Sequence, residues 1–139
     1  MSAKRLVIGA LIGACTLSAV GYVIFGIAFP GFFTDFMNAG LATNVERQPP
    51  LLWAVALAML SYGLLMTLAV GGRARPLTTR AGVTTGAVVS LLLWFTADFM
   101  LYGISNVGSL EGTVTDPLLE VVPGAIAGGV IATVLRTIR

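Results

Sequence analysis

The sequence predicts an all-α, polytopic membrane protein: four transmembrane helices arranged as two similar helical hairpins, with both termini in the cytoplasm. Its composition is the first indication, since 57% of the 139 residues are hydrophobic and 10% are charged, whereas about 25% are charged in a typical soluble domain. Second, four apolar runs each reach the roughly 20 residues that a helix needs to cross a bilayer. Third, the basic residues lie at those ends of the runs that four crossings bring to one side. We expect a single transmembrane domain over residues 1–139.

The first predicted helix covers residues 5–33. It follows the basic pair Lys4-Arg5, and Pro30 is expected to kink or end it, because proline lacks a backbone donor and clashes with the preceding turn. A basic start before an apolar run also suits a cleaved signal peptide, and the residues up to Cys15 loosely resemble a lipoprotein cleavage box. Since the chain stays apolar well beyond Cys15, we expect a retained helix.

Proline marks the start of two later helices, because it is tolerated in the first helical turn. Pro50 precedes the second apolar run and Pro117 precedes the fourth, with Thr115 or Asp116 available as the cap of the fourth helix. The predicted bounds of these three helices are 50–71, 81–106 and 117–137.

The distribution of charge predicts the orientation. Seven of the eight basic residues fall on one side of a four-crossing chain and only Arg47 falls on the other. The positive-inside rule then places both termini in the cytoplasm of a bacterium, with the chain in the inner membrane. The seven residues are Lys4, Arg5, Arg73, Arg75, Arg80, Arg136 and Arg139.

The residue inventory argues against several classes of function. Histidine is absent and Cys15 is the single cysteine, which excludes an internal disulfide, a Cys/His zinc site and a Ser-His or Cys-His nucleophile pair. The net charge of +2 is small, and the bases flank apolar runs rather than forming a patch with aromatic residues. We therefore expect no catalytic residue, no metal, no cofactor and no nucleic-acid partner; the lipid bilayer is the expected surroundings.

A short pattern occurs twice. Residues 33–37 read Phe-Thr-Asp-Phe-Met and residues 95–100 read Phe-Thr-Ala-Asp-Phe-Met, each near the outer end of a helix that precedes a proline-initiated return helix. The pattern suggests an internal repeat of two parallel halves; chance similarity between apolar segments is the alternative.

An Asp-Phe pair near the end of the first helix and an acid and a tyrosine late in the third stand at Asp35-Phe36, Asp98 and Tyr102. In these features the chain resembles a group of small uncharacterised four-helix bacterial integral membrane proteins, with Asp116 as a further match. The resemblance implies the four-helix fold and assigns no activity.

Asp98 is the main candidate site residue, since it places a carboxyl group about 25 Å along the third helix, in the outer third of the bilayer. Helical spacing puts Tyr102 on the same face, and Tyr22 reaches a similar depth on the first helix. A carboxyl group in an apolar setting can exchange protons near neutral pH, so this cluster is a candidate ligand or proton site. The alternative is a carboxyl group that hydrogen-bonds to hydroxyl groups or to the backbone and serves only to hold the helices together.

Two other acids are secondary polar candidates. Asp35 lies at the membrane boundary, where water can solvate it. Glu120 lies in the first turn of the predicted fourth helix, where favourable interaction with the helix dipole is a sufficient explanation.

Glycines spaced four residues apart predict close helix packing. Gly9 and Gly13 are such a pair, as are Gly124 and Gly128, and Gly129 adds to the small surface of the fourth helix. Because this helix is small on nearly every side, we expect it to contact another subunit, in a homo-oligomer or a larger membrane assembly.

Two functions fit these observations, and the sequence favours the first. One is a non-catalytic accessory or scaffold subunit that docks through the glycine-rich helix. The other is an oligomeric transporter or binding protein for a small solute, ion or proton, which uses Asp98. An enzyme acting on lipid through Asp35, Asp98 or Glu120 is a more distant possibility.

Overall fold

A computed structural model describes residues 1–38, 47, 49–72 and 77–138 of the chain. Within these ranges the protein is all-helical and contains no strand. This confirms the predicted all-α class, and four helical segments are long and apolar enough to cross a membrane. They are Ala3–Ala28, Leu52–Gly71, Thr79–Ile104 and Leu110–Thr137.

The first segment ends five residues before the predicted position. Helix α1 (Ala3–Gly21) continues as a π-helix over Tyr22–Ala28, and a separate short helix, α2 (Phe32–Asn38), follows. The break coincides with Pro30, which lacks a backbone donor, and with Gly31, whose φ of 88° lies in the left-handed region that glycine favours.

Helices α3 (Leu52–Gly71) and α4 (Thr79–Ile104) agree with the prediction to within two residues at each end. Helix α5 (Leu110–Thr137), in contrast, begins seven residues earlier than predicted. The Ser109 Oγ caps it by accepting a 3.0 Å hydrogen bond from the Gly112 N–H. Thr115 and Asp116 are therefore interior residues rather than caps.

The chain termini lie at the same end of the bundle, which we call the terminal end. The Arg5 guanidinium donates a 2.8 Å hydrogen bond to the Leu135 carbonyl, one of the last carbonyls of α5, which lack a helical donor. At the same end the hydroxyl groups of Thr79 and Thr133 are 3.0 Å apart. The opposite end, where α4 ends and α5 begins, is the distal end. Arg73, Arg75 and Arg139, on which the predicted orientation partly depends, lie outside the described residues.

Helices α4 and α5 form the most extensive contact, followed by α1 and α3. A methyl group added at Gly86 would overlap the carbonyl oxygen of Gly124, and one at Gly82 would overlap that of Gly128. These contacts show that the two backbones touch directly, as small residues permit in lipid.

Contacts between α1 and α3 are similarly close. Gly13 lies against the backbone of Gly63, and Gly9 lies against the side chain of Thr67. The glycines of both predicted pairs therefore pack between helices of one chain.

Helix α5 is the central helix. Half of its most apolar 18-residue window is buried, compared with 11% for α4, and α5 contacts α1, α3 and α4. Gly129, on the small surface that suggested an external partner, packs against Val83 of α4. Neighbouring helices of the same chain therefore cover much of this surface.

Candidate functional site

A pair of aspartates lies at the interface of α4 and α5. The antiparallel register of these helices brings Gly82 opposite Gly128 and Gly86 opposite Gly124, and further along it brings Asp98 to Asp116. The two carboxyl groups are close enough to interact electrostatically. Asp98 is 6% exposed and Asp116 is 1% exposed.

Three of the four carboxyl oxygens of the pair have no hydrogen-bond donor among the described residues. Neither carboxyl oxygen of Asp116 has a donor, and the Oδ2 of Asp98 has none. Two ionised carboxylates have no proton to share, so a hydrogen bond between them requires that one holds a proton. Buried like charges without a counter-ion are unfavourable, and the pair is therefore stable only with a proton or a cation.

Glu120 extends the pair into a cluster of three acids. It follows Asp116 by one helical turn, is 7% exposed, and interacts electrostatically with both aspartates. Glu120 is ten residues from the start of α5, about 15 Å along the axis. The dipole explanation is therefore wrong for this residue, because the effect of the helix dipole is confined to the first turn.

A chain of hydroxyl groups joins α3 and α4 to the backbone of α5. The Ser90 Oγ is 2.5 Å from the Glu120 carbonyl oxygen, to which it donates, and 2.5 Å from the Tyr62 hydroxyl. Because serine has one hydroxyl proton, Tyr62 must be the donor to Ser90. The ring of Tyr62 also makes an edge contact with Trp94, with centroids 6.3 Å apart.

The polar residues are distributed from the middle of the bundle toward its distal end. Asp98 is six residues from the end of α4 and Asp116 six from the start of α5, about 9 Å in each case. Glu120 and the Tyr62–Ser90 contact lie about 15 Å along their helices, near mid-bundle. The polar groups therefore occupy the bundle from its middle to within two helical turns of the distal end.

A cavity of about 450 Å³ adjoins this cluster on the side of α1 and α3. Glu120, Tyr62 and Trp94 line its inner part. The remaining wall comes from the end of α1, the π-helix, Phe33 of α2 and the first half of α3, and it is almost entirely apolar.

The structure does not join Asp98 to the two tyrosines that the sequence suggested. Tyr22 is 68% exposed and lies on the π-helix, whose wider turn changes the direction of its side chains, and it lines the cavity near Glu120. Tyr102 is exposed in the last turn of α4, at the distal end. Neither tyrosine hydrogen-bonds to Asp98 among the described residues.

Asp35 lies away from the acid cluster. It is exposed on α2 and lines a second crevice, of about 350 Å³, at the distal end together with Glu111 and Thr115. The side chain of Phe36, which is buried, packs against Gly112 beside this crevice. The structure thus places Asp35 and Asp98 in different surroundings.

Three residues of the site were missed as site residues from the sequence: Asp116, Tyr62 and Ser90. Because Pro117 follows it, the sequence predicts Asp116 as a possible cap at the start of the fourth helix. A signal for its true position is that Leu110, Val114 and the pair Pro117-Leu118 recur every three to four residues. This helical spacing extends upstream of the proline. Tyr62 and Ser90 each place a hydroxyl group in the middle of an apolar run, which in a membrane indicates a buried partner.

Within the described ranges, no group of three or more His, Cys, Asp or Glu side chains is arranged to hold a metal ion. The chain matches no protein-family model, no curated protein and no solved structure. The resemblance noted from the sequence therefore stays a prediction, and the site geometry is the basis for a functional assignment.

Proposed function

We propose that this protein is a multi-pass protein of the bacterial inner membrane that binds and releases protons at Asp98 and Asp116, as part of binding or transporting a small solute. Both termini are cytoplasmic in this proposal, so that the distal end faces outward. The observation that carries it is the pair of buried carboxyl groups on neighbouring helices, three of whose four oxygens have no hydrogen-bond partner among the described residues.

A purely structural role does not require two acids. Serine, asparagine or glutamine side chains hydrogen-bond across helices in lipid without a charge to neutralise. Acids within a membrane are costly and are characteristic of proton relays and ion pathways. The position of Glu120, one turn deeper on α5, gives a proton a further acceptor toward mid-membrane.

The accessory-subunit hypothesis has weaker support than it had from the sequence. It depended on a small-residue face of α5 that is free to contact another protein, and Gly124 and Gly128 of that face lie against α4. Association with further copies of the chain stays a prediction without an interface assigned to it.

Infrared spectroscopy of the protein reconstituted in lipid tests the proposal. We expect a C=O stretching band of a protonated carboxyl group at neutral pH, altered by Asp116→Asn and left unchanged by Asp35→Asn, which neutralises an exposed acid. Absence of the band in the native protein, or an identical spectrum for Asp116→Asn, would contradict proton binding by the pair.

Proton movement is measured separately in vesicles that enclose a pH-sensitive dye. A membrane potential is imposed, and the pH of the lumen is followed. With the native protein and with Asp35→Asn we expect this pH to change in the direction in which the potential drives protons. With Asp98→Asn we expect no change. Equal flux through Asp98→Asn would show that the pair is not on the proton path.

A further inference from the structure

The cavity beside Glu120 combines one buried acid with apolar, aromatic walls. From this combination we infer that it binds an amphipathic organic cation, such as a hydrophobic amine or pyridinium, with the Glu120 carboxylate as the counter-ion. This inference rests on the proposed function, since it names the class of solute that the acid cluster serves.

Glu120 supplies the charge. Glu120 is 7% exposed and lines the cavity. A carboxylate in such surroundings is stabilised by a cation that enters the cavity, because the low dielectric strengthens their attraction. The cavity offers this one carboxylate among apolar and aromatic walls, which suits an organic cation better than a metal ion that needs several oxygen ligands.

The walls of the cavity determine the size and the aromatic character of the rest of the ligand. Five aromatic side chains line the cavity: Tyr22, Phe25, Phe33, Tyr62 and Trp94. The faces of aromatic rings attract cations, tryptophan most strongly, and Trp94 lines the cavity together with Glu120. A volume of about 450 Å³ lies within the range of sites for small organic ligands. These features fit a body of one or two rings that carries a positive charge.

The entrance lies at the side of the bundle. Tyr22 on the π-helix and Val55 on α3 both line the cavity and are 68% and 50% exposed. In a bilayer such exposed side chains face lipid, so a hydrophobic cation that has partitioned into the membrane reaches the cavity laterally. Binding at Glu120 then releases any proton that this carboxyl group holds.

The test compares two ligands of nearly the same shape, N-methyl-4-phenylpyridinium and uncharged 4-methylbiphenyl, by equilibrium dialysis against the full-length protein in mild detergent. We expect saturable binding of the cation and much weaker binding of the neutral compound. Glu120→Gln is expected to lower the affinity for the cation at least about tenfold, since it removes a charge-assisted contact. Glu111→Gln, an exposed acid on the same helix, is the matched control and should bind normally.

A second variant, Gly21→Leu, tests binding in the cavity independently, in case Glu120→Gln does not fold. Gly21 lines the cavity, and a Cβ added there meets nothing within 4 Å, so Gly21→Leu should fill the cavity without disturbing the helices. It is expected to abolish cation binding while leaving the infrared carboxyl band intact. In a Trp53→Phe background, saturable quenching of the remaining tryptophan, Trp94, places the ligand in the cavity.

The outcomes separate this inference from the proposed function. Equal binding of both compounds, or normal cation binding by Gly21→Leu, would overturn the inference and leave a lipid-filled groove as the explanation. If cation binding fails while Asp116→Asn still alters the infrared band, the solute class is wrong and the proton site stands. If the cation binds and the band is absent, the cavity is a binding site and the proton function fails.

Discussion

Replacement of Gly86 by alanine tests whether direct backbone contact holds α4 and α5 together. The added Cβ would overlap the carbonyl oxygen of Gly124, a backbone atom that no side-chain rotation can move, so the helices must separate. Overpacking of this kind costs about 1–3 kcal/mol, and the upper half of that range applies because the obstacle is backbone. Alanine also favours the helix over glycine by up to about 1 kcal/mol, which offsets part of this cost. We therefore expect the free energy of unfolding to fall by about 1–2 kcal/mol. It is measured by circular dichroism during SDS titration of the protein in mild detergent.

Gly103→Ala is the matched control, since it makes the same chemical change on the same helix at a position where a Cβ meets nothing within 4 Å. It should leave stability unchanged or raise it slightly. The reasoning is refuted if the two variants unfold at the same detergent concentration, because the contact at Gly86 would then carry no energy.

Three further variants test contacts elsewhere. Ser90→Ala leaves the buried Tyr62 hydroxyl unpaired and should destabilise the protein by about 1–3 kcal/mol, part of which Tyr62→Phe in the same background should restore in the same titration. Phe36→Ala removes a buried ring at the distal end; we expect a loss of about 3 kcal/mol and faster proteolysis near α2, and unchanged cleavage would argue against the packing. Arg5→Gln removes a charged donor to the Leu135 carbonyl; a decrease of about 1–2 kcal/mol is expected, and retained stability would mean that solvent replaces the contact.

The sequence predicts the four long apolar helices well because the requirement for crossing a bilayer is strong and simple. A run of about 20 apolar residues satisfies it whatever the neighbouring residues are, and α3 and α4 lie within two residues of their predicted bounds. Helix packing through glycine spacing is likewise a local property of sequence. The orientation in the membrane and the internal repeat stay predictions.

The site was harder to predict because it depends on helix register and on one helix start. Pro117 suggested the beginning of α5, yet the helix starts at Leu110, and this shift converts Asp116 and Glu120 from boundary residues into interior ones. The partner of Asp98 is set by the antiparallel register of α4 and α5, which no pattern within either helix specifies. The π-helix at Tyr22 also has no clear sequence signal, and it displaces that side chain from the expected face.

The two prolines inside α5 have a mechanical consequence. Pro117 and Pro123 lie on either side of Glu120, and because proline has no N–H, the carbonyl groups of Thr113 and Leu119 lose their usual backbone donors. Two backbone hydrogen bonds are thus missing from the central helix within a single short stretch. Helix α5 resists bending least beside its two buried acids, Asp116 and Glu120. A small change in its curvature therefore alters the distance between those acids and α4 without breaking any backbone hydrogen bond.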